Sequence, residues 1–377
     1  MEQPKRDIDS AARPLRPTLK SLPADARAHN RSLVLRTLFH EGTASRAEIA
    51  RITGLTRGTT STLVTELIDD GLVEGYGRHH NQRAGKPSTP LGIRADAHQV
   101  VAVDLSDPEG VHTALLDLKG GIVRRHSCRF DVPDQLPLLI DLIDRMLAEA
   151  TRPVLGIGVS CPGIISPGGV VTRSTTYEWQ SLPLRDLIAE HVRLPVYVSN
   201  DANTAALAEF TFAGASGDGL VAITIGRGVG AGILLNGMLV HGSNYSTGEI
   251  GHLTAVEDGA LCECGRRGCL QTVLSAPALR RAFSESKDVD EACAGIGRLA
   301  GVVLAPLVGA LTLSQVRVSG QPDLLRPALL RTVAQTIQAR VLPALLPDLS
   351  VSPASHGENT GLVGGAALVL SGELGIA

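Results

Sequence analysis

The sequence predicts a helical head tipped by a short strand pair, joined to a larger α/β body of two lobes. Three observations predict it. Three helical patterns precede two short strands between residues 26 and 93. Strands and helices alternate from residue 97 onward. Within that stretch one order of elements, strand–turn–strand–strand–helix–strand, occurs twice, which suggests two related lobes around a cleft. At 377 residues the chain is long enough for two or three such units.

Residues 1–25 mix proline with polar residues and read as a flexible tail. They contain no apolar core of the kind a secretory signal needs, and no run elsewhere reaches the length of a membrane span. ADARAHNRSLVLRTLFHEG then places Leu33, Val34, Leu38 and Phe39 at helical spacing. SRAEIARITG follows, with Ser45 and Glu48 forming a capping box and Gly54 where the helix must stop. LTRGTTSTLVTELIDDG starts behind Thr56 as N-cap, carries Leu63, Val64, Leu67 and Ile68 as an inward stripe, and ends at Gly71.

Two helices separated by about three residues including a glycine are the helix-turn-helix arrangement. Arg57, Thr59 and Thr60 occupy the first turn of the second helix, where base edges are read when such a helix enters a major groove. LVEGYGRHHNQRAGKPSTPLGI reads as two strands around a basic tip, a wing whose Arg78, Arg83 and Lys86 suit phosphates or a minor groove. Charge agrees. Residues 1–94 hold 15 Lys and Arg against 10 Asp and Glu, so the head is basic while the rest of a chain of net charge −3 is acidic. The alternative is a helical protein-interaction domain; spacing, wing and charge together favour DNA.

In the body, HQVVAVDLSD is a buried strand ending in a carboxylate, and VHTALLDLKGGIVRRHSCRFDV is a strand, a glycine turn and a strand. LPLLIDLIDRMLAEAT is a helix, VLGIGVSCPGIIS a strand, and LPLRDLIAEHVRLPVYVSNDANTAALAEF runs helix, strand, helix. GLVAITIGRGVGAGILLNGMLV pairs two strands through a glycine-rich turn.

SNDANTAALAE (Ser199–Glu209), TIGRGVGAGI (Thr224–Ile233), GEIGH (Gly248–His252), CECGRRGC (Cys262–Cys269) and the tail SHGENTGLVGGAALVL together resemble the ROK family of repressors, open reading frames and kinases. The resemblance covers nearly the whole chain. It implies a winged helix-turn-helix domain at 26–93 and an actin-like sugar-kinase domain at 97–377. The lobes of the latter are expected at 97–198 with the C-terminal helix, and at 199–355.

His252, Cys262, Cys264 and Cys269 make a four-coordinate set with no vacancy, as structural zinc sites have. An unmetallated thiol cluster is the alternative, which the spacing disfavours. The resemblance implies that zinc fixes a loop facing a sugar, with His252 offering its second ring nitrogen to a hydroxyl. Glu249 on the same segment suits vicinal hydroxyls, since each can donate to a carboxylate. The family's general base corresponds to Asp201 and its sugar contact to Asn200. Either residue also makes a good helix cap. The family expects Glu two positions after the last cysteine; this chain has Gln271, which adds a donor and removes a charge.

Kinases of the family carry Asp-x-Gly-Gly-Thr after the first strand. Here the stretch is DLSDPEG: Ser106 and Asp107 replace both glycines, Pro108 removes an N–H, and Asp107 and Glu109 put negative charge where polyphosphate would sit. Arg227 stands where kinases usually have Thr, and only Gly320 remains of a third glycine pair. The expectation is a cytoplasmic, sugar-controlled transcriptional regulator, most simply a repressor, that acts on double-stranded operator DNA as a homodimer or homotetramer. No catalytic residue and no membrane partner are expected. The alternative is a hexose kinase using ATP. Arg227 also keeps a sugar phosphate open as effector.

Overall fold

The computed structural model describes residues 23–76, 89–107, 110–129, 135–215 and 219–376. The expected tail, the wing tip with Arg78, Arg83 and Lys86, and the pair Pro108–Glu109 lie outside the described residues.

The head opens with α1 (Pro23–Glu41). In α2 (Arg46–Thr53) the capping box is formed: Glu48 N donates to Ser45 Oγ at 3.3 Å, and Ser45 N donates to Glu48 Oε2 at 2.8 Å. The helix stops at Gly54, whose φ of 71° is left-handed, a conformation that a Cβ would strain. α3 (Arg57–Asp69) starts behind Thr56, whose Oγ1 accepts the Thr59 N–H at 3.1 Å. β1 (Val73–Gly75) and β2 (Leu91–Ile93) pair antiparallel as the base of the wing. Ile68, expected to point inward, is 37% exposed, because it lies at the margin of the face formed by Thr60, Leu63, Val64 and Leu67.

The first lobe is built on a sheet ordered β10-β6-β3-β4-β5. β3 (Gln99–Asp104), β4 (Gly110–Asp117) and β5 (Ile122–Arg129) form an antiparallel meander. After α4 (Gln135–Glu149), β6 (Val154–Cys161) joins parallel to β3. Then β7 (Ile164–Ile165), β8 (Val171–Ser174) and β9 (Trp179–Leu182) make a separate three-stranded sheet that no sequence pattern announced. α5 (Leu184–Val192) leads to β10 (Val196–Asn200), parallel to β6, and α6 (Asp201–Phe212) follows.

The second lobe repeats the plan with a sheet ordered β13-β12-β11-β14-β15. β11 (Leu220–Ile225), β12 (Val229–Leu235) and β13 (Met238–Leu239) are the meander. α7 (Gln271–Leu274), α8 (Ala276–Glu285) and α9 (Val289–Leu311) precede β14 (Gln315–Gly320), which lies parallel to β11. α10 (Pro327–Gln338) precedes β15 (Ser350–Pro353), parallel to β14, and α11 (Thr360–Leu374) closes the chain. α11 returns to pack on β3, β6 and α6.

The apolar core does not stop at the head. One continuous cluster joins Val34, Leu38, Leu63 and Leu67 to Val100 and Ala102 of β3 and to Leu362, Val369 and Leu370 of α11. Contrary to expectation, α9 is by length and apolar composition long enough to cross a membrane. It does not stand out as an uncharged run because Asp290, Glu291 and Arg298 punctuate it. Its inner face, with Cys293, Ile296, Ala300, Leu304 and Val308, is buried in the core of the second lobe, beside α10.

Candidate functional site

Three parallel strands of the first sheet end side by side. Their register places Asp104 opposite Ser160, and Asn200 opposite Cys161. The chain then turns at once into α6. Asn200 is the N-cap: its Oδ1 accepts the Ala202 and Asn203 N–H groups at 2.9 and 3.2 Å, and its Nδ2 donates to the Gly163 carbonyl at 2.9 Å. Of the two roles open to it, the structural one thus occupies its acceptor and one donor, leaving one N–H for a ligand.

Asp201 follows, with Oδ1 accepting the Ala202 N–H at 2.9 Å and its other carboxylate oxygen left for a ligand. Burial first, with the nearby Asp104 and Glu249 carboxylates adding to it, pushes its pKa up to about 7. Burial likewise raises Asp104, whose Oδ1 accepts the Ser106 N–H at 2.9 Å. Asp104 was not among the expected site residues; the sequence shows only a carboxylate ending an apolar strand, and the sheet register brings it near Asn200.

The opposite wall comes from the segment after Gly248. That glycine has φ 93°, and a Cβ there would overlap the Ala231 carbonyl, so glycine alone lets the segment lie against β12. Glu249 and a short helical turn, Ile250–His252, follow. Burial raises Glu249, partly opposed by His252, whose Nε2 lies 3.9 Å from Glu249 Oε2. The other ring nitrogen, Nδ1, lies 3.7 Å from Cys262 Sγ. Cys264 Sγ is 3.6 Å from Cys269 Sγ, and one ligand atom from each of the four residues lies within 4.8 Å of the others. Tetrahedral zinc with bonds of about 2.3 Å to sulfur sets ligands roughly 3.8 Å apart, so the donor set and its spacing fit. Gln271 opens α7 with Oε1 turned toward Gly228 and Gly251.

Beyond Asp104, residues 105–107 fold back on the end of β3. The Ser106 N–H faces Asp104, the Tyr177 hydroxyl donates to the Leu105 carbonyl at 2.5 Å and lies 3.2 Å from the Asp107 carbonyl, and Asp107 Oδ2 is 3.4 Å from His112 Nε2. Arg227, in the β11–β12 turn, lies 3.9 Å from Glu263.

On the head, Arg57 is exposed and Thr59 half-buried, its Oγ1 2.9 Å from Thr56 Oγ1. Thr60, expected at base edges, is fully buried and its hydroxyl has no partner among the described residues. The helical repeat explains the correction: Thr60 lies three and four residues before Leu63 and Val64, on the inward face. The exposed face is instead Arg57, Gly58, Ser61, Thr62 and Thr65.

Twin sheets of the same plan behind a winged helix-turn-helix head define a sugar-kinase-type body joined to a DNA-binding-type domain. Residues 101–371 match the ROK family, and residues 29–83 match the MarR family of winged-helix domains. The chain belongs to the ROK family. It is 33% identical over 262 residues to the xylose repressor of Caldicellulosiruptor bescii, a match covering 66% of this chain and 64%, just under two thirds, of that repressor. It is 32% identical over 269 residues to the glucokinase of Halalkalibacterium halodurans, covering 61% of this chain and 82% of the kinase. A crystal structure of a ROK family transcriptional regulator, a homologue of Escherichia coli Mlc, superposes with TM-score 0.79 at 24% identity over 93% of this chain and 98% of its own.

Proposed function

We propose that this protein is a sugar-responsive repressor that binds double-stranded operator DNA and phosphorylates nothing. The body resembles a repressor and a kinase almost equally, so the body's likeness does not decide. The observation that carries the reading is the β3–β4 loop. Phosphoryl transfer depends on positioned phosphates and neutralised charge. Here the Ser106 N–H is spent on Asp104, and Asp107 brings a carboxylate to the place where a kinase has glycine. The head supports the same reading, with Arg57, Thr59, Ser61 and Thr62 toward the base edges and Arg78, Arg83 and Lys86 toward the backbone.

In this reading Asp201, Glu249 and His252 bind the sugar hydroxyls, with Gln271 and the free N–H of Asn200 as further contacts. A neutral sugar is favoured over a sugar phosphate, because the charged neighbours of Asp201 are Asp104 and Glu249, both acidic. His252, Cys262, Cys264 and Cys269 would hold one structural zinc, which supplies the charge that keeps three thiolates together. Cys264→Ser should lose the metal and weaken sugar binding at least about tenfold, since the second wall of the cleft hangs on that loop. Elemental analysis of protein purified without chelator should find one zinc per chain.

The protein would work in the cytoplasm as a homodimer or homotetramer on half-sites one or two helical turns apart. The exposed Val302, Leu342 and Leu345 beside α9 support such assembly. The test combines two measurements. A monosaccharide panel should include a sugar that raises the melting temperature. That sugar, incubated with ATP and magnesium, should yield no sugar phosphate. Turnover at ordinary kinase rates, abolished by Asp201→Asn, would establish the kinase instead. Operator selected with the full chain should not bind a chain lacking residues 26–93.

A further inference from the structure

α6 runs from the cleft to the head. At one end stand the Asn200 cap and Asp201; at the other, Phe210 and Phe212 meet α1. The Phe212 ring meets Phe39 edge-on with centroids 5.7 Å apart, and the Phe210 ring lies 5.7 Å from that of His40. Phe212 also meets His356, just ahead of α11, edge-on at 6.4 Å. Twelve residues at 1.5 Å each make the helix about 18 Å long.

Along that length the helix has no slack. Ala202 through Glu209 are all buried. A Cβ on Gly232 of β12 would overlap the Ala202 carbonyl, and one on Gly364 of α11 would overlap the Thr204 carbonyl. Thr204 Oγ1 lies 2.7 Å from Ser160 Oγ of β6. Glu209, fully buried, accepts the Ser355 N–H at 2.6 Å and its hydroxyl at 2.8 Å, with Arg317 Nε at 3.4 Å. A helix held this closely from both sides shifts as a rigid rod when the lobes re-pack, because close-packed contacts do not deform gradually.

We propose that α6 carries occupancy of the sugar cleft to the DNA-binding head, and that Phe39, His40, Phe210 and Phe212 are the joint through which it does so. The proposal rests on the sugar-responsive reading above and names its route. A sugar that closes the lobes around Asp201 displaces the near end of α6. The far end then re-seats the aromatic contact and with it α1, against which α2 and α3 pack. The shift is only as large as the sugar's preference for one arrangement over the other. A competing route is α11, whose terminal Gly375 carbonyl accepts Arg36 Nη2 at 3.1 Å.

The test uses the full zinc-loaded chain, an operator selected from random duplexes, and D-xylose and D-glucose as probes. Calorimetry gives sugar affinity, operator titration gives the response, and hydrogen exchange reports residues 23–41. In the unaltered protein sugar should change operator affinity roughly 5- to 150-fold and change exchange in α1. Phe212→Leu should keep sugar affinity within about twofold and unliganded operator affinity within about threefold, while the response falls below about threefold and α1 no longer answers to sugar. Phe39→Leu, on the head side, should do the same and stands in if Phe212→Leu misfolds. The proposal is overturned if both variants respond fully, if only Arg36→Ala loses the response, or if α1 exchange ignores bound sugar. Absence of binding heat from either sugar sinks the effector reading for these probes and the joint with it, and calorimetry separates that failure from the others.

Discussion

α3 begins behind Thr56, whose hydroxyl accepts the Thr59 N–H; α6 begins behind Asn200, whose carbonyl oxygen accepts two N–H groups. In both helices the cap spends its side-chain oxygen on the backbone; Arg57 then stands in water, whereas Asp201 gives one carboxylate oxygen to the Ala202 N–H and keeps the other for a ligand. Their surroundings differ. α3 buries one face and leaves Arg57 in water, whereas α6 is enclosed almost all round and Asp201 is half-buried at its head. A solvated cation at a helix start disturbs the fold little. A desolvated carboxylate beside two others disfavours its own charged form, and such strain is expected where a group must meet ligand hydroxyls.

The largest effect should come from removing that carboxylate. A raised acid binds its proton more tightly in the fold than in the unfolded chain, so the fold is favoured at low pH. That advantage is lost as pH rises from the ordinary value of 3.8 through about 7. Asp201→Asn should therefore gain little at pH 4 and as much as roughly 4 kcal/mol at pH 8. It should also lose roughly 1.5–3 kcal/mol of sugar affinity, the worth of a hydrogen bond to a charged group. Unfolding of both proteins at the two pH values checks the sign. An equal difference at pH 4 and pH 8 would break the contrast between a strained α6 and a relaxed α3.

The caps sharpen it next. Asn200→Ala removes both backbone acceptor contacts and the donor to Gly163, and should destabilise the body by about 2–3 kcal/mol. Thr56→Ala removes two exposed contacts, with the Thr59 N–H and the Thr59 hydroxyl, and should cost about 1 kcal/mol. Denaturant titrations of the two variants should keep that order; the reverse order would mean that the enclosure of α6 does not strengthen its cap.

What was legible in the sequence follows the same division. Caps and stops are local chemistry, so Ser45, Glu48, Gly54 and Thr56 stand where their types demand. The twin sheets were legible because their apolar strands recur in the same order with turns between them. β7 to β9 were not: strands of two to four residues are too short to show alternation. Nor was the division between Asn200 and Asp201 legible: both accept the Ala202 N–H, and only the Asn203 N–H and the Gly163 carbonyl, bound by Asn200, set them apart. The clustering of His252, Cys262, Cys264 and Cys269 was legible through its spacing, while the place of Asp104 was not, because a carboxylate after an apolar strand does not reveal which strands end beside it.

The smallest effect concerns Thr60, where a hydroxyl's chemistry suggested one orientation and the helical repeat another. Its side chain is fully buried and its hydroxyl has no partner among the described residues, while its backbone N–H keeps the bond to the Thr56 carbonyl at 2.9 Å. Valine has nearly the same shape and is also β-branched, so Thr60→Val changes neither packing nor helix propensity much. It removes a buried hydroxyl that lost its water on folding and gained nothing in return, and should stabilise the head by about 1 kcal/mol. Operator affinity should stay within about twofold, and the bases selected from random duplexes should be unchanged. Ser61→Ala and Thr62→Ala, on the exposed face one and two residues along, should instead alter the selected bases. If Thr60→Val alters them as well, α3 must turn its buried face toward DNA on binding, and the relaxed helix of the comparison would be the one that rearranges.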